Sequence, residues 1–125
     1  MSWQAYVDSN LVGAGFTAAA IFGVEGGQWA TSAGFTVSAA EAATLTAGYK
    51  DPSKLRADGL TIAGVKYFVL RADDRSIYGK KGTGGIITVK TGRAVIIAVY
   101  GDSLQPGQAA NVAEKLADYL IDAGY

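Results

Sequence analysis

The sequence predicts an α+β fold: a central antiparallel sheet of six or seven strands with helices packed on it. Three features of the 125-residue chain point there. Between Leu60 and Tyr100, short apolar runs alternate with Gly-rich punctuation, the pattern of antiparallel meanders. From Gln105 to Tyr125 the apolar period becomes that of a helix with a single buried face. Hydrophobic residues make up 50% of the chain and glycine occurs 17 times, which suits a compact, turn-rich sheet protein and not a disordered one. The length predicts one domain spanning residues 1–125.

Residues 2–13 read as a short helix capped by Ser2 and ended by Gly13 and Gly15. Trp3, Tyr6, Val7, Asn10 and Leu11 share one side at helical spacing. Val7 and Leu11 form its aliphatic edge, and Trp3 and Tyr6 form an aromatic one. Thr17 to Val24 reads as a buried strand, Glu25-Gly26-Gly27 as a turn, and Gln28 to Ser32, with Trp29, as the return strand of a hairpin. Ser38 to Glu41 is a capping box that opens a helix from Ala39 to about Gly48. Asp51 as N-cap with Pro52 at the first helical position starts a short helical turn that ends near Gly59.

Strands follow at 60–62 and 65–72 around Ala63-Gly64. Two more, at 76–80 and 86–90, are separated by Gly82-Thr83-Gly84-Gly85, and a last one runs over 93–100. In the final helix, which Pro106 can open, Ala109, Val112, Ala113, Leu116, Tyr119 and Leu120 fall within a ~120° arc. Asn111, Glu114, Lys115, Asp118 and Asp122 fill the opposite arc. The first and last helices each carry one apolar stripe, so they are expected on one face of the sheet.

Composition excludes several functions. Eleven basic and eleven acidic residues give zero net charge, a poor basis for sequence-independent nucleic-acid binding. Without histidine or cysteine, the commonest general base, thiol chemistry and cysteine-based zinc sites are missing. Asp73-Asp74, the adjacent carboxylate pair, precedes Arg75-Ser76 between strands and reads as a solvated turn. Gly79 to Gly85 lacks the phosphate-loop spacing and leads into a strand, so it reads as a hairpin turn. No cofactor or metal is expected, and enzymatic activity is the weakest reading. No apolar run is long enough to span a membrane, and the start is not a signal peptide, so the chain reads as intracellular.

Two constellations remain. Lys66, Arg71, Arg75, Lys80, Lys81, Lys90 and Arg93 cluster in the strand region. They read either as solubilising charge or as a basic face for an acidic protein or anionic lipid head groups. Trp3, Tyr6, Trp29, Tyr119 and Tyr125 read either as the rim of a core or, if the terminal helices meet, as one groove. Flat rings with polar tips suit a proline-rich segment, which is already extended and presents bare carbonyls.

The segments SWQAYVD, RADDRSIYGKKGTGGIITVKT and QPGQAANVAEKLADYLIDAGY resemble profilin, the small actin-monomer-binding family, and most of all its amoeba and slime-mould members. The resemblance runs the length of the chain. It implies terminal helices on one side of the sheet and smaller helices on the other. It also implies a poly-proline groove of Trp3, Tyr6, Trp29, Tyr119 and Tyr125, and an actin face including Arg71, Lys80, Lys90, Asn111 and Lys115. Phosphoinositide contacts would involve Arg71, Arg75, Lys80 and Lys81. The implied partners are monomeric actin, proline-rich proteins such as formins, and phosphoinositide lipids. The implied activity is regulation of actin polymerisation with faster nucleotide exchange on actin, in the cytoplasm, at the cytoskeleton and cell cortex. A lipid-binding adaptor using the basic strand face is the alternative.

Overall fold

The computed structural model describes residues 2–125. Its centre is a seven-stranded antiparallel sheet in the order β2-β1-β7-β6-β5-β4-β3. The strands are β1 (Ala18–Gly23), β2 (Gln28–Thr31), β3 (Leu60–Ile62), β4 (Val65–Ala72), β5 (Ser76–Lys81), β6 (Gly84–Lys90) and β7 (Ala94–Tyr100). The helices are α1 (Trp3–Ala5), α2 (Ala39–Gly48), α3 (Ser53–Asp58) and α4 (Pro106–Asp122). The helix begun by α1 widens into a π-helical stretch over Tyr6–Leu11, then tightens into a 3₁₀ turn at Val12–Ala14. It ends at Gly15, whose φ of 119° favours glycine.

The central strands are apolar on both faces because both faces are covered. On one side, Ala19 and Ile21 of β1, Ile87 and Val89 of β6, and Ala94, Ile96 and Ala98 of β7 meet the terminal helices. These contribute Val7, Leu11, Ala109, Ala113, Leu116, Ala117 and Leu120. On the other side, Ala20, Phe22, Ile77, Ile86, Val95 and Ile97 pack with Leu45, Tyr49 and Leu55 from α2 and α3. The expected placement of terminal and small helices on opposite faces therefore holds.

Polar groups inside this sandwich are paired. The buried Tyr49 hydroxyl donates to Thr88 Oγ1 at 2.7 Å, and Thr88 Oγ1 donates to the Ile77 carbonyl at 2.8 Å. Burial holds the Tyr49 phenol far above its ordinary value, so it stays a donor. The Asp73-Asp74-Arg75 stretch is the turn expected: Asp73 Oδ1 accepts from the backbone N–H of Arg75 at 2.9 Å and of Ser76 at 2.7 Å. Several boundaries shift by a residue or two. β5 runs on to Lys81 and β6 starts at Gly84, so the turn expected over Gly82-Thr83-Gly84-Gly85 narrows to Gly82 and Thr83. The expected N-cap of α3, Asp51, lies one residue further out; Pro52 takes the cap position. Asp51 Oδ1 still accepts from the Ser53 backbone N–H at 3.2 Å and from its hydroxyl at 2.7 Å.

Glu41 joins two elements at once. Its Oε1 accepts from the Ser38 backbone N–H, completing the capping box of α2, and from the Ala63 N–H, both at 3.0 Å. Its Oε2 accepts from the Gly64 N–H at 2.9 Å. The same carboxylate thus ties α2 to the β3–β4 turn, where Ala63 is held at φ 53°. Desolvation pulls the Glu41 carboxyl up, but the N–H donors of Gly64, Ser38 and Ala63 outweigh it and leave its pKa below the ordinary 4.5. A depressed carboxylate stabilises the fold fully above its unfolded pKa, and that contribution fades as pH falls through the folded value. Glu41→Ala is expected to cost about 2 kcal/mol in urea unfolding at pH 7. The gap to wild type should close as the pH falls below the ordinary carboxylate value and through the lowered folded one; a gap that stays constant would exclude ionisation of Glu41 as its source.

Candidate functional site

The two terminal helices bring five rings together. Trp3 lies at the centre: its ring centroid is 4.7 Å from that of Trp29, 4.9 Å from Tyr125 and 5.6 Å from Tyr6. Tyr6 continues the row to Tyr119 at 6.0 Å. The Trp3–Tyr125 pair is edge-to-face at 83°, an arrangement favoured by ring quadrupoles. Each ring has a local reason to be there. Ser2 Oγ accepts from the Ala5 N–H at 3.1 Å, fixing the first helical turn. Val7 and Leu11 anchor the helix in the core, so Trp3 and Tyr6 ride on its outer edge. Gln4 Nε2 donates to the Thr31 carbonyl at 2.7 Å and holds that helix against β2, which carries Trp29.

Trp29 lies across Gly23: a Cβ there would meet its indole nitrogen at 3.0 Å and the Gly26 carbonyl at 3.1 Å, so glycine lets the ring lie flat on β1. Tyr125 is held by its backbone. Its carbonyl accepts from Arg93 N at 2.6 Å and from Thr91 Oγ1 at 2.8 Å, and its N–H donates to the Leu120 carbonyl at 2.8 Å.

The rings are fixed yet open. Trp29 is 36% exposed, Tyr125 40% and Tyr119 56%. A structural cluster would bury them; here their faces are left to solvent. Hydrogen bonding with the Tyr119 hydroxyl, then desolvation, raises the Tyr6 phenol above its ordinary value. A shallow groove of about 510 Å³ runs on from this end of the row between Tyr6 and Asn10 on one bank and Val112, Lys115, Leu116 and Tyr119 on the other.

The opposite flank of α4 is polar. Glu114 Oε2 accepts from the hydroxyls of Tyr78 and, at 2.6 Å, Ser76. Arg75 bonds Glu114 Oε1 at 3.0 Å and Asp118 Oδ1 at 2.8 Å. Arg71 sits with its guanidinium carbon 5.2 Å from the Tyr78 ring centroid and pairs with Asp73 at 2.9 Å. Desolvation, then the hydrogen bond to Glu114, pushes the Tyr78 phenol up to about 12. Beside this network β4 exposes two large apolar side chains, Phe68 at 73% and Leu70 at 58%. A bulge between Val69 and Arg71 accommodates Leu70, and Phe68 stands opposite Lys80 on β5. The unbroken apolar run Tyr67–Leu70 hid these two: the sequence alone does not show which face of an edge-side strand lacks a cover.

The sequence-derived sites are thus sorted unevenly. The five aromatics are brought together. Arg71 and Lys80 share the α4 side of the sheet, and Asn111 lies on the exposed crest of α4. Lys115 instead lines the groove with Tyr6 and Tyr119. Lys90 pairs with Val95, which belongs to the core beneath α2, so strand alternation aims it away from Arg71 and Lys80. Of the four cations considered for phosphoinositides, Arg71 and Arg75 are already paired with carboxylates, while Lys80 and Lys81 form no salt bridge among the described residues. No group of three or more His, Cys, Asp or Glu among the described residues is placed to hold a metal. Among the described residues no helix is long and apolar enough to cross a membrane.

Fold and surface together define a small α+β binding module with an open aromatic row on one flank of its last helix and a polar and apolar face on the other. The profilin family model matches residues 1–125. The chain is 59% identical to profilin-2 of Acanthamoeba castellanii over the full length of both. Its structure matches that of A. castellanii profilin IB with a TM-score of 0.96 at 58% identity, covering 99% of this chain and 100% of that one. The fold likeness extends to mouse profilin IIa, solved in complex with a double repeat from the FH1 domain of mDia1, at 24% identity, with a TM-score of 0.83 and full coverage of both chains. The chain belongs to the profilin family. It is accordingly an actin-regulating protein and not an enzyme.

The Glu114 network lends itself to a double-mutant cycle. Glu114→Ala leaves the Ser76 and Tyr78 hydroxyls without their acceptor and is expected to cost about 2 kcal/mol in urea unfolding. Combined with Tyr78→Phe, the losses should fall short of additive by more than about 0.5 kcal/mol. Strict additivity would show that the two side chains do not support each other.

Proposed function

We propose that the chain binds proline-rich segments, such as those of formins, along the aromatic row and monomeric actin on the β4–β5–α4 face, holding both together. The observation that carries the first half is the five-ring row itself. From Tyr119 through Tyr6 and Trp3 to Trp29 its steps span roughly 16 Å, about five residues of polyproline II at ~3.1 Å each. Its rings carry hydroxyl and indole N–H donors, which suit an extended ligand whose carbonyls are unsatisfied. The mouse relative solved with an FH1 repeat supports the same ligand class.

The second half rests on exposed Phe68 and Leu70 beside Arg71 and Lys80, an apolar centre with charged neighbours, as at a protein interface. Actin bound there would exchange nucleotide faster if the contact favours an opened cleft, a difference in affinity between two states of actin. A lipid reading keeps one support: Lys80 and Lys81, unpaired among the described residues and next to the β5–β6 turn, can meet anionic head groups.

Titration with poly-L-proline should change the emission of Trp3 and Trp29, the two tryptophans of the chain, saturably and at both low and high salt. Vesicle binding through lysines would instead fall steeply with salt. Trp3→Ala is expected to weaken proline binding by about 2 kcal/mol, roughly thirtyfold. Loss of folding stability with intact peptide affinity would make Trp3 a core residue and remove it from the groove.

Phe68→Ala, at an exposed position, should lower actin affinity about tenfold while poly-L-proline binding is kept. Parallel loss of both activities would sink the two-face arrangement. Release of a fluorescent nucleotide from actin should speed up with wild-type protein and respond less to the variant; no acceleration at saturation would remove the exchange activity and leave actin binding standing.

A further inference from the structure

The aromatic row has two ends, and they differ in charge. Beyond Trp29 lies a pocket of about 430 Å³ lined by Gly23, Glu25, Gly92 and Arg93, where an acidic and a basic residue offset each other. Beyond Tyr119 lies the 510 Å³ groove whose banks carry one ionisable cation, Lys115, and no carboxylate. Lys115 is exposed and forms no salt bridge among the described residues. The nearby carboxylates are turned elsewhere or distant. Asp8 accepts from Gln4 at 3.2 Å, and Asp118 pairs with Arg75 at 2.8 Å. Asp122 is two turns further along α4, about 10 Å by helical rise. Asn10, on the facing bank, adds an amide donor. The groove is continuous with the aromatic row through Tyr6 and Tyr119, which belong to both.

We propose that this groove is a specificity subsite for an acidic residue flanking the proline run, with Lys115 as the residue that reads it and Asn10 assisting. The inference rests on the proline-binding reading of the row and adds to it a preferred ligand: a proline-rich segment with Asp or Glu at one of its ends. The apolar banks, Val112 and Leu116, take the stem of that residue or of Lys115 itself, while the ammonium stays at the mouth. A charged flank at this end therefore gains a partner that a neutral one lacks, whereas the Glu25–Arg93 end offers no net preference. Because a run of prolines has no N–H groups and its polyproline II helix has a near-repeating outline, it can enter the row in either direction. The acidic residue can accordingly sit at either end of the peptide.

The test is tryptophan-emission titration of the full-length protein with three peptides: a proline decamer, and the same decamer with a single Asp before or after it. At low ionic strength at least one Asp peptide is expected to bind about threefold tighter than the decamer, the scale of one exposed charge pair. High salt should erase the gain. In Lys115→Met, which keeps the apolar stem, the ratio of the two affinities should fall to one; in Arg93→Met it should persist. Equal affinity for all three peptides in the wild-type protein would overturn the subsite while leaving proline binding in place. A ratio kept in Lys115→Met would overturn the assignment to this residue. Failure of every peptide to bind would overturn the groove reading, and this inference with it.

Discussion

The seating of α4 on the sheet is the constraint on which the rest of the molecule depends. Its inner face presents Ala109, Ala113 and Ala117, and the strands beneath offer Ala19, Ala94 and Ala98. Small residues on both surfaces let helix and sheet approach closely, and Leu116 and Leu120 fill what remains. A helix held this way has no freedom to roll, so the side chains on its two flanks are set in direction as well as position. The same seating places the end of the chain. The turn after α4 returns Tyr125 to the β6–β7 turn, where Gly92 leaves room for its carbonyl and Arg93 and Thr91 bind it.

Much of this was legible in the sequence because it stems from period and punctuation. The capping box at Ser38, the Ala63-Gly64 and Gly82-Thr83 turns, and the one-sided stripe of α4 are local signals, and the elements they mark are the ones found. Trp3, Tyr6 and Tyr119 could be suspected as a unit only by assuming that the terminal helices meet, and the shared core of Val7, Leu11, Ala113 and Leu120 supplies that meeting. What was not legible depends on pairs far apart in the chain. Glu114 read as one more solvent-facing residue of α4, yet it is half-buried and collects Arg75, Ser76 and Tyr78 from another element. Lys115 and Lys90 looked equivalent to Arg71 and Lys80 as basic residues. Only helix phase and strand register separate them, and register depends on the bulge in β4 and on strand pairings that no short window contains.

The two flanks of α4 are built on different physics. The row of rings uses apolar area and neutral hydrogen-bond donors, whose strength changes little with salt or with pH in the neutral range. The other flank is a compensated polar network beside exposed Phe68 and Leu70. Its cations are largely spent internally: Arg71 on Asp73, and Arg75 on Glu114 and Asp118. Such a face orients a partner through shape and apolar contact more than through bulk charge, in keeping with a net-neutral chain.

One rigid helix bearing both flanks has a consequence for how two ligands would share the molecule. Ligands on opposite sides of a seated helix need not compete. Coupling between them would have to pass through α4 itself, whose inner face is held on the strands by alanine contacts. A helix packed this closely does not shift in small continuous steps. Large cooperativity would therefore require a second seating of α4. Simultaneous, nearly independent occupancy is the behaviour this architecture favours. It suits a carrier that presents one bound protein to another better than it suits a switch that trades one ligand for the other.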